Sequence, residues 1–531
     1  MKNMKIIITL LLTILSLSSC VKEKEYSGEE LEARSLKAWI KKNRPELLGN
    51  YQEKGGYYVD VLSWGDSEAV ATSKNDFGGK PIMEQDTCWV FYNFTGYDLD
   101  GNVCATRNET IARMQATFSD YTHYVPYGNY CGKEEYYAIV EGSYLASRNK
   151  IKLSEEYVAS KPNICRGTEL MLRKGSKVRL YLTSTIGYGA DGSATEGGYE
   201  GQYSLDSNVP MILDMEVVRV VKNPSDNELD MVNAVVKQSN EQSQSPVWFQ
   251  IENKEDKEEG EDDGDTDTSD SADTEDTEGD NKEPKYYEGI YYSSSFTPTE
   301  SFAHLQHARP DIEGLGNAYK DTKRFADMAE FDKKLWKILN EKFADKIKAT
   351  SDEDAKEIGD DNSAMIWYVG RFLDGFIFDT NIPEVKELAF DELNSSGSAL
   401  TYSVSSNKDE YISAWAYGIP KLRYGRWGAI ITTSGYAYGS TGVSASTSTS
   451  GGSYNAGYNA LANLYNYYSM MGSAYYNPYS YYNYYNYYGG YNNYYDYEET
   501  TSTIETEIAP YTPLIFYVFV EPTETVDNGL N

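Results

Sequence analysis

The fold turns on Met365-Ile-Trp-Tyr-Val-Gly-Arg-Phe-Leu-Asp-Gly-Phe-Ile-Phe-Asp-Thr380. Aromatic and β-branched residues flank Asp374-Gly375, and that dipeptide between apolar runs predicts two strands joined by a tight turn. The second run ends on one charge, Asp379, directly after Phe378.

Working outward, further segments fall into place on either side. Toward the C-terminus lie Leu400–Val404, Tyr411-Ile412-Ser413-Ala414-Trp415, a strand from Arg426 to Thr432, Tyr436-Ala437-Tyr438-Gly439, and a closing strand from Thr512 to Val520. Toward the N-terminus, Met328, Phe331, Leu335, Leu339 and Phe343 recur at helical spacing with lysines opposite, predicting an amphipathic helix that packs on its own domain. Residues 51–222 hold the same series: Gly56-Tyr57-Tyr58 parallels Gly289-Ile290-Tyr291-Tyr292, Leu99-Asp100-Gly101 parallels the turn, and Gly175 to Tyr188 spans the same interval as Gly425 to Tyr438. A repeat of domain size is a duplication and not a solenoid, whose period is about 20–50 residues.

The second of these units resembles the FKBP-type peptidyl-prolyl cis-trans isomerases. The hairpin carries that family's Tyr-x-Gly-x-x-x-Asp-Gly-x-x-Phe-Asp pattern at Tyr368, Gly370, Asp374, Gly375, Phe378 and Asp379. Tyr411-Ile412-x-Ala414-Trp415 is similar to its Val-Ile-x-Gly-Trp, Tyr436 to Gly439 contains its Ala-Tyr-Gly, and Ile508, Pro510 and Phe516 match its Ile-Pro-Pro segment and closing-strand Phe. Leu400 stands where the family often has a Phe, and Ala414 replaces a Gly. The resemblance implies an α+β chain of two FKBP-like domains, each a twisted antiparallel sheet wrapped around a short helix. It implies catalytic roles for Tyr368, Asp379 and Tyr438 and substrate contacts from Phe378, Leu400, Ile412, Trp415, Ile508 and Phe516, with no cofactor and no metal. The first unit departs from the pattern: Phe94 stands for the hairpin Tyr, Cys104 for the Phe, Ala105 for the Asp, Cys165 for the Trp and Leu213 for the closing Phe, while Tyr188 remains. It is expected to keep the fold and to have lost the pocket.

At the start of the chain, Lys2 and Lys5 precede a short apolar run that ends in Leu17-Ser18-Ser19-Cys20. A basic start, an apolar core too short to span a bilayer and a small-residue cut site describe an export signal. In this reading Cys20 is the lipidated first residue, and the protein sits at the bacterial outer membrane, on its periplasmic or surface side, held by the lipid anchor alone. The net charge of −34 argues against nucleic acid, whose phosphates need a basic face. The expected organisation is a signal at 1–20, a spacer at 21–50, the degenerate domain at 51–222, an acidic disordered linker at 223–285, and the isomerase domain at 286–531 with a Tyr/Asn-rich flap insert at 440–507. Between Glu252 and Glu283, seventeen acids face three lysines, too polar to bury a core. Cys88, Cys104, Cys131 and Cys165 leave three disulfide pairings open, along with four free thiols. The partners expected are proline-containing polypeptide clients, held near the pocket by the flap. A non-catalytic peptide-binding lipoprotein of the same fold is the alternative, and the oligomeric state is open.

Overall fold

The computed structural model describes residues 27–71, 73–116, 118–133, 136, 138–189, 205–242, 247–253, 285–294, 296–298, 328–347, 356–360, 362–392, 395–406, 410–443 and 506–522. Cys20, the acidic run 254–284 and most of the flap lie outside them. Helix α1 (Gly28–Asn43) opens with a capping box: the Ser27 hydroxyl accepts the Glu30 N–H, and the Glu30 carboxylate accepts the Ser27 N–H. Next come β1 (Tyr51–Gln52), β2 (Tyr57–Trp64), β3 (Trp89–Asp98), β4 (Val103–Thr106), α2 (Glu109–Met114), β5 (Tyr127–Tyr130) and α3 (Glu141–Arg148). A short excursion of β6 (Ile151–Lys152), α4 (Glu155–Ser160) and β7 (Glu169–Leu170) precedes β8 (Ser176–Leu182) and β9 (Met211–Val221). The second half contains α5 (Pro224–Gln242), β10 (Phe249–Glu252), β11 (Tyr286–Ser293), α6 (Met328–Phe343), β12 (Ser363–Phe372), β13 (Ile377–Thr380), α7 (Pro383–Phe390), β14 (Leu400–Ser403), α8 (Ser413–Gly418), β15 (Arg426–Thr432) and β16 (Leu514–Val520). The architecture is α+β.

Each half builds a seven-stranded sheet, and the two orders are the same: β1-β2-β8-β9-β3-β4 with β5 on β3, and β10-β11-β15-β16-β12-β13 with β14 on β12. The match extends to single residues. Gly96 pairs with Ala105 and Leu213, as Gly370 pairs with Asp379 and Phe516. Tyr58 pairs with Tyr181, as Tyr291 pairs with Ile431.

Two stretches read from the sequence as connectors are parts of the sheets' packing. Helix α1, expected as a spacer, buries Leu36 and Ile40 in the first core, with Leu47 just beyond it. Helix α5 and strand β10 occupy the first part of the expected linker. Val232, Val235 and Val236 of α5 are buried in the second core, and β10 pairs with β11. The acidic run therefore leaves and re-enters a single hairpin, at the place where the first half has the four-residue turn Glu53–Gly56.

Strand alternation sorts the second sheet into two faces. Ile366, Tyr368, Phe372, Phe516, Val518 and Ile430 pack on the inner side, with α8. Val369, Trp427, Ile431, Ile515, Tyr517 and Phe519 pack on the outer side, beneath Leu335, Leu339 and Phe343 of α6. With both faces covered, β16 is apolar and buried throughout. Helix α6 thus packs on its own half, as its periodicity predicts. It is tied to the hairpin by a buried ion pair, Arg371 to Asp332 at 2.7 Å.

The halves touch beside the β12–β13 turn. His123 stacks on Phe372 at 4.4 Å, and its Nε2 lies 2.6 Å from the Asp374 carboxylate. Tyr121 stacks on Phe390. Arg107 pairs with Glu507 at 2.6 Å, and Trp89 meets Tyr511 edge-on at 4.6 Å. No described helix is long and apolar enough to cross a membrane.

Candidate functional site

The β12–β13 hairpin turns as its sequence predicts. Gly375 takes φ +89°, and the Asp374 carboxylate accepts the Phe376 N–H at 3.1 Å. The register then shifts by one residue, so that Gly370 faces Asp379 while Arg371 faces Ile377. Phe378 is the extra residue of this bulge, and a bulge re-aims its side chain. Its ring lies over Gly370 so closely that a Cβ there would sit 2.6 Å from the ring edge. Glycine at 370 is what leaves room for the far end of the ring.

The ring of Phe378 starts a cluster. It meets Phe516 edge-on at 5.7 Å, Phe516 meets Trp415 at 5.5 Å, and Trp415 meets Tyr368 at 5.1 Å, all near perpendicular as ring quadrupoles favour. Tyr411 stacks on Trp415 at 5.4 Å. Ile508 is buried in the same core, with Leu400, Ile412 and Tyr438 packed partly exposed against it. The nine residues expected from the sequence are thus gathered at one place. Trp415 is presented by α8. Ile412 caps that helix, and among the described residues its N–H takes no backbone partner.

One carboxylate organises the polar side. The Tyr368 hydroxyl donates to Asp379 at 2.7 Å. Burial, with the Asp379 charge adding to it, pushes the Tyr438 hydroxyl well above its ordinary range, so it stays a protonated donor. Asn381 braces the strand: it accepts the Tyr368 N–H at 2.7 Å and donates to the Ile366 carbonyl at 3.0 Å.

Sequence reading missed a further support. Glu228, on α5, accepts the Ser434 N–H and hydroxyl, each at 2.7 Å. The Ser434 carbonyl in turn accepts the N–H groups of Ala437 and Gly439, which flank Tyr438, each at 2.8 Å. The first half repeats the device: Glu32 of α1 accepts the Ser184 N–H at 2.5 Å and its hydroxyl at 2.7 Å. The only hint in the sequence is a Glu near the start of each leading helix. The ends of the flap are also fixed, by paired hydrogen bonds of 2.8 and 2.9 Å between Val443 and Ile508. At Gly442 (φ +65°) a Cβ would lie 2.1 Å from the Ile508 carbonyl oxygen, so this closure requires glycine.

The matching place in the first half has the same scaffold and different chemistry. The bulge recurs between Gly96–Ala105 and Tyr97–Val103, with Cys104 as its extra residue. Phe94, Ala105 and Leu213 stand where Tyr368, Asp379 and Phe516 stand. Burial pushes the Cys104 thiol up to about 12. The expectation that Cys165 takes the Trp position is corrected. Cys165 lies in a turn after α4, whereas the helix that corresponds to α8 is α3. Val140 caps α3 as Ile412 caps α8, and the third helical residue is the buried Ser143 where α8 has Trp415. The β6–α4–β7 excursion lengthens the path to β8, so counting back from Gly175 by the interval of the second half stops short of the helix. That excursion is anchored by the Tyr157 hydroxyl, which donates to Asp60 at 2.5 Å, with Arg44 also 2.5 Å from that carboxylate.

No protein-family profile and no curated protein sequence matches the chain. Solved structures that it matches include FKBP-type peptidyl-prolyl isomerases. They include the three FKBP domains of wheat FKBP73, at 10% identity and a TM-score of 0.20, covering 88% of this chain and 95% of that one. A peptidyl-prolyl cis-trans isomerase of Pseudomonas syringae, at 15% identity and a TM-score of 0.20, covers 38% of this chain and 99% of its own. FkpA from Escherichia coli, at 15% and 0.20, covers 41% and 71%. Likenesses of this size carry no argument about activity, and the functional reading rests on the residues of the site.

Proposed function

We propose that the second half is an FKBP-like domain with a peptidyl-prolyl cis-trans isomerase site, and that the first half is a duplicate of the fold without the site's chemistry. The observation that carries this is the Tyr368–Asp379 hydrogen bond set beside the Trp415–Phe516–Phe378 rings, with the Tyr438 hydroxyl under the same charge. Rotation about an X-Pro amide must lift a barrier of about 18–20 kcal/mol that arises from amide resonance. The twisted amide has lost that resonance and is less charge-separated than the planar one, so an apolar enclosure favours it. Trp415, Phe378 and Phe516 supply large, stiff walls for a proline ring. Tyr438, kept protonated, donates to a substrate carbonyl, and the Ile412 N–H offers a second donor. Asp379 fixes Tyr368 and sets a preorganised field at the reacting carbonyl, with no proton transfer required.

In this reading Cys20 carries the lipid anchor at the outer membrane, and the clients are proline-containing polypeptides of the envelope. A second reading, non-catalytic peptide binding, draws on one observation: Tyr368, Phe378, Trp415, Ile508 and Phe516 are each 5% exposed or less, so a proline must displace a wall to enter. The two readings separate on cis-trans exchange of a short Pro peptide with the full-length chain. Uncatalysed exchange takes tens of seconds. Acceleration that falls at least about tenfold in Tyr438→Phe, which removes one preorganised donor, supports the isomerase. Saturable peptide binding without acceleration supports the binder.

A further inference from the structure

Cys88 immediately precedes β3, and Cys131 immediately follows β5. These strands pair antiparallel with Trp89 opposite Tyr130, which sets Cys88 opposite Cys131 one step further out. The backbone joins them there: the Cys131 N–H donates to the Cys88 carbonyl at 2.8 Å, and the Cys88 sulfur lies 3.6 Å from the Cys131 carbonyl oxygen. Both side chains lie in the first core, at 0% and 2% exposure. We propose that Cys88 and Cys131 form a cross-strand disulfide, and that Cys104 and Cys165 remain thiols.

Directly opposed residues in an antiparallel pair have Cα atoms about 4.5–5.5 Å apart, inside the about 4.4–6.8 Å span of natural disulfides. Bond formation therefore moves the sulfurs and leaves the ladder in place. The other two cysteines lack such a partner. Cys104 is packed in the bulge of β4, where its sulfur would lie 3.1 Å from a Cβ on Gly96. Cys165 sits in the turn after α4, under the influence of Lys161 and Asp60. The fold therefore prepares the single bond Cys88–Cys131 and neither of the two-bond pairings that would split these residues.

The two thiols hydrogen-bond to each other, so either sulfur can open the exchange, and the route through Cys88 stands for both. The oxidant is a disulfide compound, either glutathione disulfide or an oxidised dithiol protein. The Cys88 thiolate attacks one of its sulfurs, forming a mixed disulfide and releasing one thiolate. Cys131 then loses its proton and attacks the Cys88 sulfur, releasing the second thiolate. Two electrons pass to the oxidant, and the two protons leave for solvent. Because both sulfurs are enclosed in the folded chain, the exchange takes place during folding or a local opening.

The bond would staple β3 to β5 one residue from Trp89, whose ring meets Tyr511 in the segment that brings Ile508 into the candidate site. It also closes a loop between residues 43 apart, which restricts the unfolded chain.

The test is to equilibrate the full-length chain in glutathione buffers from reducing to oxidising, block free thiols by alkylation, and map the peptides. The expected product under oxidising buffer is a peptide linking Cys88 to Cys131, with Cys104 and Cys165 alkylated. The unfolding midpoint should rise on oxidation in the wild type and not in Cys88→Ser or Cys131→Ser. Alkylation of all four thiols at an oxidising poise, or linkage through Cys104 or Cys165, overturns the proposal. The peptide map needs only the wild-type chain, so a variant that fails to fold does not blunt it. It reads nothing of isomerase activity, so its outcome and that of the proposed function are independent.

Discussion

The outer faces of the two sheets show how one backbone serves different ends. On the first, the cross-strand pairs are Lys177–Glu216, Arg179–Asp214 and Tyr181–Ile212. At the same register on the second stand Trp427–Phe519, Ala429–Tyr517 and Ile431–Ile515. The two ionic pairs of the first sheet are partly exposed, with Arg179 gripping Asp214 at 2.6 and 2.7 Å. The aromatic pairs of the second lie under α6. Phe343 contacts Trp427 edge-on at 5.2 Å and Phe519 at 4.4 Å, and Phe296 stacks on Tyr517 at 4.6 Å. Strand pairing fixes where side chains meet; which side chains they are decides whether the face meets water or a helix. The same holds on the inner faces, where one hairpin carries Tyr368, Phe378 and Asp379 and its twin carries Phe94, Cys104 and Ala105.

The two sheets should differ most in their response to loss of an ion pair. Asp332→Ala leaves Arg371 charged without its partner in a site where both are 1% exposed or less, and should cost about 3–5 kcal/mol of stability. Asp214→Ala, which removes a partly exposed pair on the other sheet, should cost under about 1 kcal/mol. Urea unfolding followed by tryptophan fluorescence checks both, and equal losses would mean that α6 is not the cover described. Phe378→Ala should also cost about 3–5 kcal/mol, because a ring leaves a closed core. Cys104→Ala, at the same bulge position, should cost clearly less in the same assay.

A smaller effect concerns pH. Burial raises Glu228 from its ordinary value to about 7, although the Ser434 hydrogen bonds oppose the rise. The folded chain then holds this proton more tightly than the unfolded chain. The Glu228 contribution to stability is therefore fully present below about pH 4.5 and is lost as pH rises through about 7. Thermal unfolding of Glu228→Gln should lack that part of the slope. An unchanged slope would mean that Glu228 does not titrate there.

Much of the site was legible because its signals are local. An Asp-Gly turn fixes a hairpin, alternation fixes which side chains share a face, and the register then sets Phe94 against Tyr368 and Ala105 against Asp379. What escaped depends on contacts distant in sequence or on insertions. The valines of α5 do recur at helical spacing, but the acidic run that follows masks them, and a hairpin interrupted by some thirty residues gives no turn signal. The Trp415 counterpart was misplaced because the β6–α4–β7 excursion lengthens the connection after α3. Glu228 and Glu32 are exposed-looking helix residues until the fold brings Ser434 and Ser184 against them.

The most direct test of the central claim, that catalytic chemistry resides in one of two matching sites, is Pro-peptide exchange by the full-length chain carrying Asp379→Ala or, separately, Tyr188→Phe. Acceleration should be lost in the first and remain at the wild-type rate in the second. Undiminished exchange with Asp379→Ala, or an equal loss in both, would contradict that claim.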